Sequence, residues 1–130
     1  MKVPQNLKYT KSDEWVLVEG TAATVGITDY AQSQLSDIVY VEILLGVGDT
    51  GKAGKACASI ESVKAAAEAN LPVSGKISAV NEDLGSKPEV LNSDPFGEGW
   101  LVKLTVANAA ELAGLMDAKA YADYCENRSH

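Results

Sequence analysis

The alternation of apolar and polar positions along this chain predicts many short strands separated by turns. Residues 15–18, 22–27 and 38–44 are rich in β-branched or alternating apolar side chains, as are residues 56–61, 75–80 and 100–106. Glycine, asparagine, aspartate and proline stand between these runs at intervals of roughly 8–12 residues, which is typical of a small β-sandwich or barrel. Residues 92–99, Asn-Ser-Asp-Pro-Phe-Gly-Glu-Gly, are predicted to form an ordered surface loop.

Helix-start signals predict short helices outside the strands. Thr28 is a candidate N-cap for a helix over residues 29–35. Farther along, Asn108 and Glu111 have the spacing of a capping box, and Asp117 is placed to cap a C-terminal helix that ends near residue 126. No linker divides residues 1–130, so we expect a single domain.

Composition and charge exclude several classes of partner. Hydrophobic residues make up 46% of the chain, yet no run approaches the ~18 apolar residues that a membrane-spanning helix needs. The net charge is −7 and Arg128 is the only arginine, whereas nucleic-acid binding requires clustered positive charge. We therefore expect no membrane and no nucleic-acid partner. An acidic surface favours docking onto basic patches of other proteins.

The chain also lacks the side chains of most catalytic and metal sites. Its single histidine, His130, is the last residue, which excludes Ser-His-Asp and Cys-His nucleophilic machinery. Cys57 and Cys125 cannot converge with that histidine on a zinc ion, and we expect both thiols to be reduced and half-buried or buried. We predict no catalytic residue and no metal site.

The glycine-rich residues 46–53 resemble a phosphate-binding loop in spacing only. They satisfy both G-x-G-x-x-G and the first part of a nucleotide-binding loop, but Ala53 stands where that loop needs a hydroxyl for magnesium. The residues that follow are also a poor helix start, and phosphate binding requires a helix N-terminus. These glycines are better interpreted as turn residues.

Residues 61–69 allow two local interpretations. The segment is alanine-rich, and Glu61 and Glu68 lie at helical spacing on either side of Lys64, which favours a helix with a solvated lysine. Against this, Ile60 completes a strand-like run and Pro72 ends any helix after about two turns, a length that is marginal without packing.

A set of motifs spread along the chain resolves this ambiguity. The motifs are Tyr-Thr-Lys-Ser-Asp-Glu-Trp at 9–15, Gly-Ile-Thr-Asp-Tyr-Ala-Gln at 26–32, Asp-Ile-Val-Tyr-Val-Glu at 37–42, Glu-Ser-Val-Lys-Ala at 61–65, Pro-Val-Ser-Gly at 72–75, Leu-Asn-Ser-Asp-Pro-Phe-Gly-Glu-Gly-Trp at 91–100 and Leu-Met-Asp-Ala-Lys-Ala-Tyr at 115–121. Together, in order and at natural spacing from about residue 7 to residue 124, they resemble glycine cleavage H proteins. We therefore set the local helix aside, because tertiary context overrides propensity.

The resemblance implies a mainly β fold of the lipoyl and biotinyl carrier type, a flattened barrel or sandwich with short peripheral helices. It also implies that lipoate is joined by an amide to Lys64 at an exposed hairpin tip. The attachment motif that it transfers to this chain consists of Glu61, Ser62, Val63 and Ala65.

The partners that the resemblance implies are enzymes, and the chain itself is expected to be a monomeric, non-catalytic carrier. A pyridoxal-phosphate-dependent glycine decarboxylase loads an aminomethyl group, and a tetrahydrofolate-dependent aminomethyltransferase removes the one-carbon unit. A FAD-containing dihydrolipoyl dehydrogenase reoxidises the arm, which a lipoate ligase or lipoyl transferase attaches. The expected compartment is the cytoplasm in a bacterium, or the mitochondrial matrix in a eukaryote once a presequence has been removed.

The resemblance further directs attention to Ser12, Glu14 and Glu68 as oxygen ligands for the loaded arm, with Trp15 as an apolar wall. The alternative is that both glutamates are ordinary solvated charges. The chain departs from the family at four places: Asp13 replaces the usual histidine, Ser36 a glycine and Glu68 an aspartate, and residues 42–45 lack the common proline. These departures bear on arm docking and partner fit more than on lipoylation.

Three other functions remain open at this stage. A biotin carrier would need methionines beside its lysine, but Val63 and Ala65 flank Lys64. An H-like protein that relays lipoate to other lipoyl-dependent enzymes would have the same attachment motif, so the motif does not exclude it. An interaction module with an unmodified lysine is the third alternative, and an intact mass would test it.

Overall fold

Residues 1–128, the part of the chain that the computed structural model describes, contain nine strands. The strands are β1 (Lys8–Tyr9), β2 (Glu14–Glu19), β3 (Ala22–Ile27), β4 (Ile38–Ile43), β5 (Thr50–Gly51), β6 (Ala56–Ser62), β7 (Ala66–Asn70), β8 (Gly75–Val80) and β9 (Val102–Val106). They form an antiparallel six-stranded sheet, ordered β1-β2-β3-β9-β8-β5, and an antiparallel three-stranded sheet, ordered β4-β6-β7. The predicted mainly β fold is confirmed as a two-sheet sandwich without closure into a barrel within these residues.

The two sheets pack face to face around one apolar cluster. Val25 and Leu104 of the larger sheet and Val41 and Ile60 of the smaller sheet all belong to it and are almost inaccessible to solvent. Alternating side chains of each strand point inward, as expected when one face of a sheet is buried. This core holds the β6–β7 hairpin in place, because Ile60 in β6 and Ala69 in β7 are both part of it.

Three α-helices lie outside the sheets: α1 (Asp29–Leu35), α2 (Val90–Ser93) and α3 (Ala118–Glu126), with 3₁₀ helices at Glu82–Gly85 and Ala109–Gly114. Thr28 caps α1 by accepting from the Ala31 N–H, and Asp117 caps α3 by accepting from the Ala120 N–H, so both predicted caps are confirmed. No helix in this part of the chain has the length and apolarity to cross a bilayer.

The predicted capping box is wrong. Asn108 does accept a hydrogen bond, from the Ala110 N–H, but Glu111 does not return to the cap. Instead, its carboxylate accepts from the N–H (2.7 Å) and the hydroxyl (2.8 Å) of Ser74, the residue before β8. A tertiary partner therefore replaces the local one, and the segment forms a 3₁₀ helix.

Several element boundaries also differ from those expected. Residues 92 and 93 close α2 rather than belong to the predicted loop, and β9 begins at Val102 rather than at residue 100. The remainder of that loop is compact, with Asp94 accepting from the Gly97, Glu98 and Gly99 N–H groups. The glycine-rich residues 46–53 form turns around β5 and lead into strand β6, not a helix. His130 lies outside the described residues.

A second apolar cluster joins α3 to the first strands. Tyr9 of β1 stacks on Tyr121 of α3, with ring centroids 4.6 Å apart and an interplanar angle of 9°. Trp15 belongs to the same cluster, and its indole N–H donates to the Pro95 carbonyl at 3.0 Å. Cys57 and Cys125 are both free and buried, as predicted.

Candidate functional site

Lys64 occupies the turn of the hairpin between β6 and β7. The turn is closed by Ser62, whose N–H donates to the Ala65 carbonyl at 2.8 Å. The Ser62 hydroxyl donates to the same carbonyl and accepts from the N–H groups of Lys64 (3.3 Å) and Ala65 (3.0 Å). Because the serine satisfies these backbone groups locally, the turn keeps a defined shape even though its side chains face solvent.

The structure brings the predicted attachment motif to one exposed tip. Lys64, Glu61, Val63 and Ala65 are all exposed, and Val63 retains 67% of its accessible surface. Ser62 is half-buried by its role in the turn. The Lys64 amine is therefore within reach of a modifying enzyme, with a strand of the buried sheet on each side to hold its backbone.

A cleft of about 170 Å³ lies beside this hairpin. It brings together Ser12, Glu14 and Glu68, the three residues predicted to dock the arm. The rest of its lining consists of Asp13, Ile27, Ala31, Gln34, Leu35, Ile60 and Ala67. The cleft thus combines carboxylate and hydroxyl oxygens with an apolar wall. Glu68, one of its lining residues, is four residues along the chain from Lys64.

Glu14 is buried in this cleft, at 1% exposure, so the interpretation as a solvated charge is wrong for this residue. Its Oε1 accepts from the hydroxyls of Thr10 and Ser12, both at 2.6 Å, and its Oε2 accepts from the Asn70 N–H at 3.1 Å. Burial raises the pKa of Glu14 more than these hydrogen bonds lower it. Within residues 1–128 this carboxyl group forms no ion pair.

Glu68 has a different environment. It is exposed on β7, opposite Ser59 of β6, and it lines the cleft from the side that carries the lysine. Its carboxylate therefore faces both the cleft and the solvent. The two glutamates of the cleft thus differ in their access to water, which the sequence did not indicate.

The expectation that Trp15 forms a wall of the cleft is wrong. Glu14 and Trp15 are consecutive residues of β2, and consecutive side chains of a strand point to opposite faces. Trp15 consequently packs in the second apolar cluster, where it meets Phe96 at a centroid distance of 6.1 Å. Ile27, Leu35 and Ile60 supply the apolar wall instead.

Two partners of Glu14 were missed by sequence reasoning. Thr10 lies inside a motif already identified, and its hydroxyl both binds the Glu14 carboxylate and accepts from the Glu14 N–H at 3.0 Å. Asn70 contributes only its backbone N–H, so no side-chain signal could have indicated it. Cys57 is the buried cysteine whose thiol is affected by the charge of Glu14. Burial raises the pKa of this thiol to about 12, so it stays protonated near neutral pH and does not act as a nucleophile.

Two of the departures from the family pattern share a backbone property. Asp13 has φ 77° and Ser36 has φ 66°, and they are the non-glycine residues with positive φ in the described part of the chain. This conformation suits glycine, which gives a conformational reason for the glycine that the resemblance leads us to expect at position 36. Asp13 holds its conformation through side-chain contacts with α3 and Arg128.

Comparisons with known proteins point to one family. The family model described as glycine cleavage H-protein matches residues 7–128. The glycine cleavage system H protein of Thermotoga maritima is 54% identical over 91% of this chain and 94% of its own length. The mitochondrial glycine cleavage system H protein 2 of Arabidopsis thaliana is 47% identical over 95% of this chain and 79% of its own length. The crystal structure of a glycine cleavage system H protein from Mycobacterium marinum has a TM-score of 0.86 and 32% identity, covering 95% of this chain and 99% of that one. This chain belongs to the glycine cleavage H-protein family.

Proposed function

We propose that this chain carries lipoate on Lys64 and shuttles an aminomethyl group from a glycine decarboxylase to a folate-dependent aminomethyltransferase. A dihydrolipoyl dehydrogenase then restores the oxidised arm. The observation that carries the proposal is the position of an exposed lysine on a hydrogen-bonded hairpin turn beside a cleft lined by carboxylates. Exposure serves attachment and delivery, and the cleft serves protection between deliveries.

Attachment requires the Lys64 amine to reach an activated lipoyl group held by another enzyme. The neutral amine attacks the acyl carbon, the activating group leaves with the bonding electrons, and the nitrogen loses a proton to give an amide. The lysine thereby loses its positive charge. Because the Ser62 hydrogen bonds hold the turn, only the side chain of Lys64 has to move.

The residues of the cleft fit such an arm. Lipoate supplies a dithiolane that no side chain of this protein offers, and the protein contributes orientation and shielding. Ile27 and Ile60 form an apolar surface that matches an aliphatic chain, while Glu14, Glu68 and Ser12 supply oxygens that match a cationic amine at its end. Glu14 contributes most to this fit, since a buried carboxyl group that has no ion pair among residues 1–128 gains most from an arriving cation.

The same geometry supports a carrier without catalysis of its own. A tethered arm raises the effective concentration of its cargo at each docked enzyme, so successive enzymes need only bind the carrier and not the free intermediate. The carboxyl groups in the cleft hold and shield the cargo, and the transformations take place in the active sites of the partners.

The test of this proposal is site-specific lipoylation. Apo-protein is incubated with a lipoate ligase, ATP and lipoate, and the modified peptide is mapped by mass spectrometry. The expected result is one lipoyl group, on Lys64, and none in the Lys64→Arg variant. That variant should remain folded, because an exposed turn residue contributes little to stability. Modification of Lys64→Arg, or an unmodified wild type, would contradict the proposal.

A further inference from the structure

An exposed apolar patch lies at the root of the Lys64 turn. Val39 and Tyr40 of β4 retain 53% and 47% of their accessible surface, and Val63 in the turn retains 67%. Strand pairing brings them to the same end of the small sheet. Tyr40 stands opposite Glu61, and the Val63 N–H donates to the carbonyl of Asp37, two residues before Val39, at 3.0 Å. The three residues therefore lie at the end of the small sheet that carries the Lys64 turn.

The backbone of β4 explains why two consecutive apolar residues face solvent here. The register of β4 against β6 shifts between Ile38 and Tyr40, so the usual alternation of side chains is interrupted at Val39. Ile38 and Val41 on either side are buried, at 3% and 5% exposure. A regular strand would turn one of the two residues inward, whereas this irregularity presents both outward.

Acidic side chains border the patch. Asp37, Glu42 and Glu61 are all exposed, and each lies on β4, on β6 or immediately before β4. An apolar centre with a negative border is complementary to a protein surface that has an apolar contact area within a basic rim. Exposed valine and tyrosine side chains grouped in this way are typical of an interaction site, not of a solvated surface.

The position of the patch decides which partner covers it. An enzyme that acylates Lys64 must bring the amine itself into its active site, and the amine is separated from the backbone by a stem of only four carbons. Such an enzyme has to press against the root of the hairpin. Enzymes that act on the distal end of a completed arm meet a longer tether and can stay farther from Val39, Tyr40 and Val63.

We propose that Val39, Tyr40 and Val63 form the docking surface for the enzyme that attaches lipoate, an acyltransferring enzyme with an apolar contact area and a basic rim around its acyl pocket. This inference rests on the proposed lipoylation of Lys64. It assigns recognition of the unmodified carrier to a surface that the arm-docking cleft does not use, since none of the three residues lines that cleft.

The test compares acylation rates of matched variants. The double variant Val39→Thr/Val63→Thr keeps β-branched side chains but removes apolar surface, and Val39→Ile/Val63→Ile keeps the apolar character. The control is Val47→Thr. Val47 is 66% exposed, close to the value for Val63. It follows the end of β4 that lies away from the Lys64 turn, where the Leu44 N–H donates to the Cys57 carbonyl near the start of β6. Apo-proteins are acylated with a lipoate ligase, ATP and lipoate, and kcat/KM is measured by intact mass.

The expected result is an about tenfold lower kcat/KM for the threonine double variant, expressed mainly in KM. The isoleucine variant and Val47→Thr should match the wild type, and all should have the same Tm. Once fully loaded, the threonine variant should be reoxidised by dihydrolipoyl dehydrogenase at the wild-type rate.

A threonine double variant with the wild-type kcat/KM for acylation, or an equal loss of kcat/KM in Val47→Thr, would overturn the inference. Acylation of the wild type in the same experiment would still support the carrier function. A loss that appears in reoxidation but not in acylation would assign the patch to a downstream enzyme and also overturn it. A wild type that is never acylated would instead contradict the proposed function itself.

Discussion

Asp13 and Arg128, 115 positions apart, are joined by two parallel hydrogen bonds between the guanidinium and the carboxylate, at 2.5 and 3.0 Å. The Tyr121 hydroxyl donates to the same carboxylate at 2.9 Å. The guanidinium also lies over the Tyr30 ring, 4.0 Å from its centroid. Because Asp13 lines the cleft beside the Lys64 hairpin, this pair fixes one corner of the cleft to the residues that follow α3.

Arg128→Ala is expected to lower the free energy of unfolding by about 1–3 kcal/mol, because the pair is partly buried and bidentate. Asp13→Ala should cost roughly 1 kcal/mol more than Asp13→Asn, because asparagine tolerates a positive φ and alanine does not. Urea denaturation measures these values. The matched control is Lys119→Ala, which removes an exposed pair with Asp123 and should change stability by less than about 0.5 kcal/mol. Equal effects of Arg128→Ala and Lys119→Ala would contradict this account.

Ser36→Gly is expected to stabilise the protein. Ser36 follows α1 with φ 66° and ψ −146°, a region that side chains other than glycine rarely occupy, at a strain of about 1–3 kcal/mol. Part of the relief is offset by the greater freedom of glycine in the unfolded chain, so a net gain of about 1 kcal/mol is expected. Thermal unfolding should show a raised Tm. Ser33→Gly, inside α1, should instead lower the Tm, because glycine is a poorer helix former than serine. A change of the same sign in both variants would contradict the argument.

The stability of the protein should depend on pH through Glu14. Burial raises the pKa of Glu14, so the folded state binds this proton more tightly than the unfolded chain does. The resulting contribution to stability is present at a pH below the pKa of the unfolded chain and is lost as the pH rises through the pKa of the folded state. Glu14→Gln stays neutral and lacks this dependence. The difference in unfolding free energy, wild type minus Glu14→Gln, should therefore fall as the pH rises above the unfolded-state pKa of about 4. Urea titrations at a series of pH values test this, and a difference that rises with pH would contradict it.

Both glutamates of the cleft are expected to protect the loaded arm. With an aminomethyl group attached, the arm ends in a cationic amine that hydrolyses in water, and charge-assisted hydrogen bonds to Glu14 or Glu68 should retain it in the cleft. Without partner enzymes, Glu14→Gln and Glu68→Gln should lose the group roughly tenfold faster than the wild type, with lipoylation unchanged. Glu61→Gln is the control, since Glu61 is close to Lys64 but does not line the cleft. Equal decay in all four proteins would show that the cleft does not shield the arm.

The local sequence determined the elements whose signals are contained within a few residues. The N-caps Thr28 and Asp117 each act on an N–H three residues ahead, so their helices were predicted from spacing alone. Strands β3 and β8 were predicted with their observed bounds, because period-two alternation records which face is buried. The absence of histidine before the last residue likewise excluded Ser-His-Asp and Cys-His nucleophilic sites within residues 1–129.

Tertiary structure decided everything that depends on a distant partner. Strands β1 and β5 have two residues each and exist only through pairing with β2 and β8, so no local pattern could reveal them. Residues 66–70 have helical propensity, yet they form β7 because they pair with β6 along the hairpin and the Asn70 N–H donates to Glu14.

The cleft itself is the clearest case. Glu14 and Glu68 are 54 positions apart, and the burial of one and the exposure of the other follow from which strands pack above them, not from the residue type. The carboxyl group of Glu14 is tolerated there because Thr10, Ser12 and the Asn70 backbone converge on it. The sequence determined which groups were present for this chemistry, and long-range packing decided which of them lost their water, because desolvation is a property of the assembled surroundings.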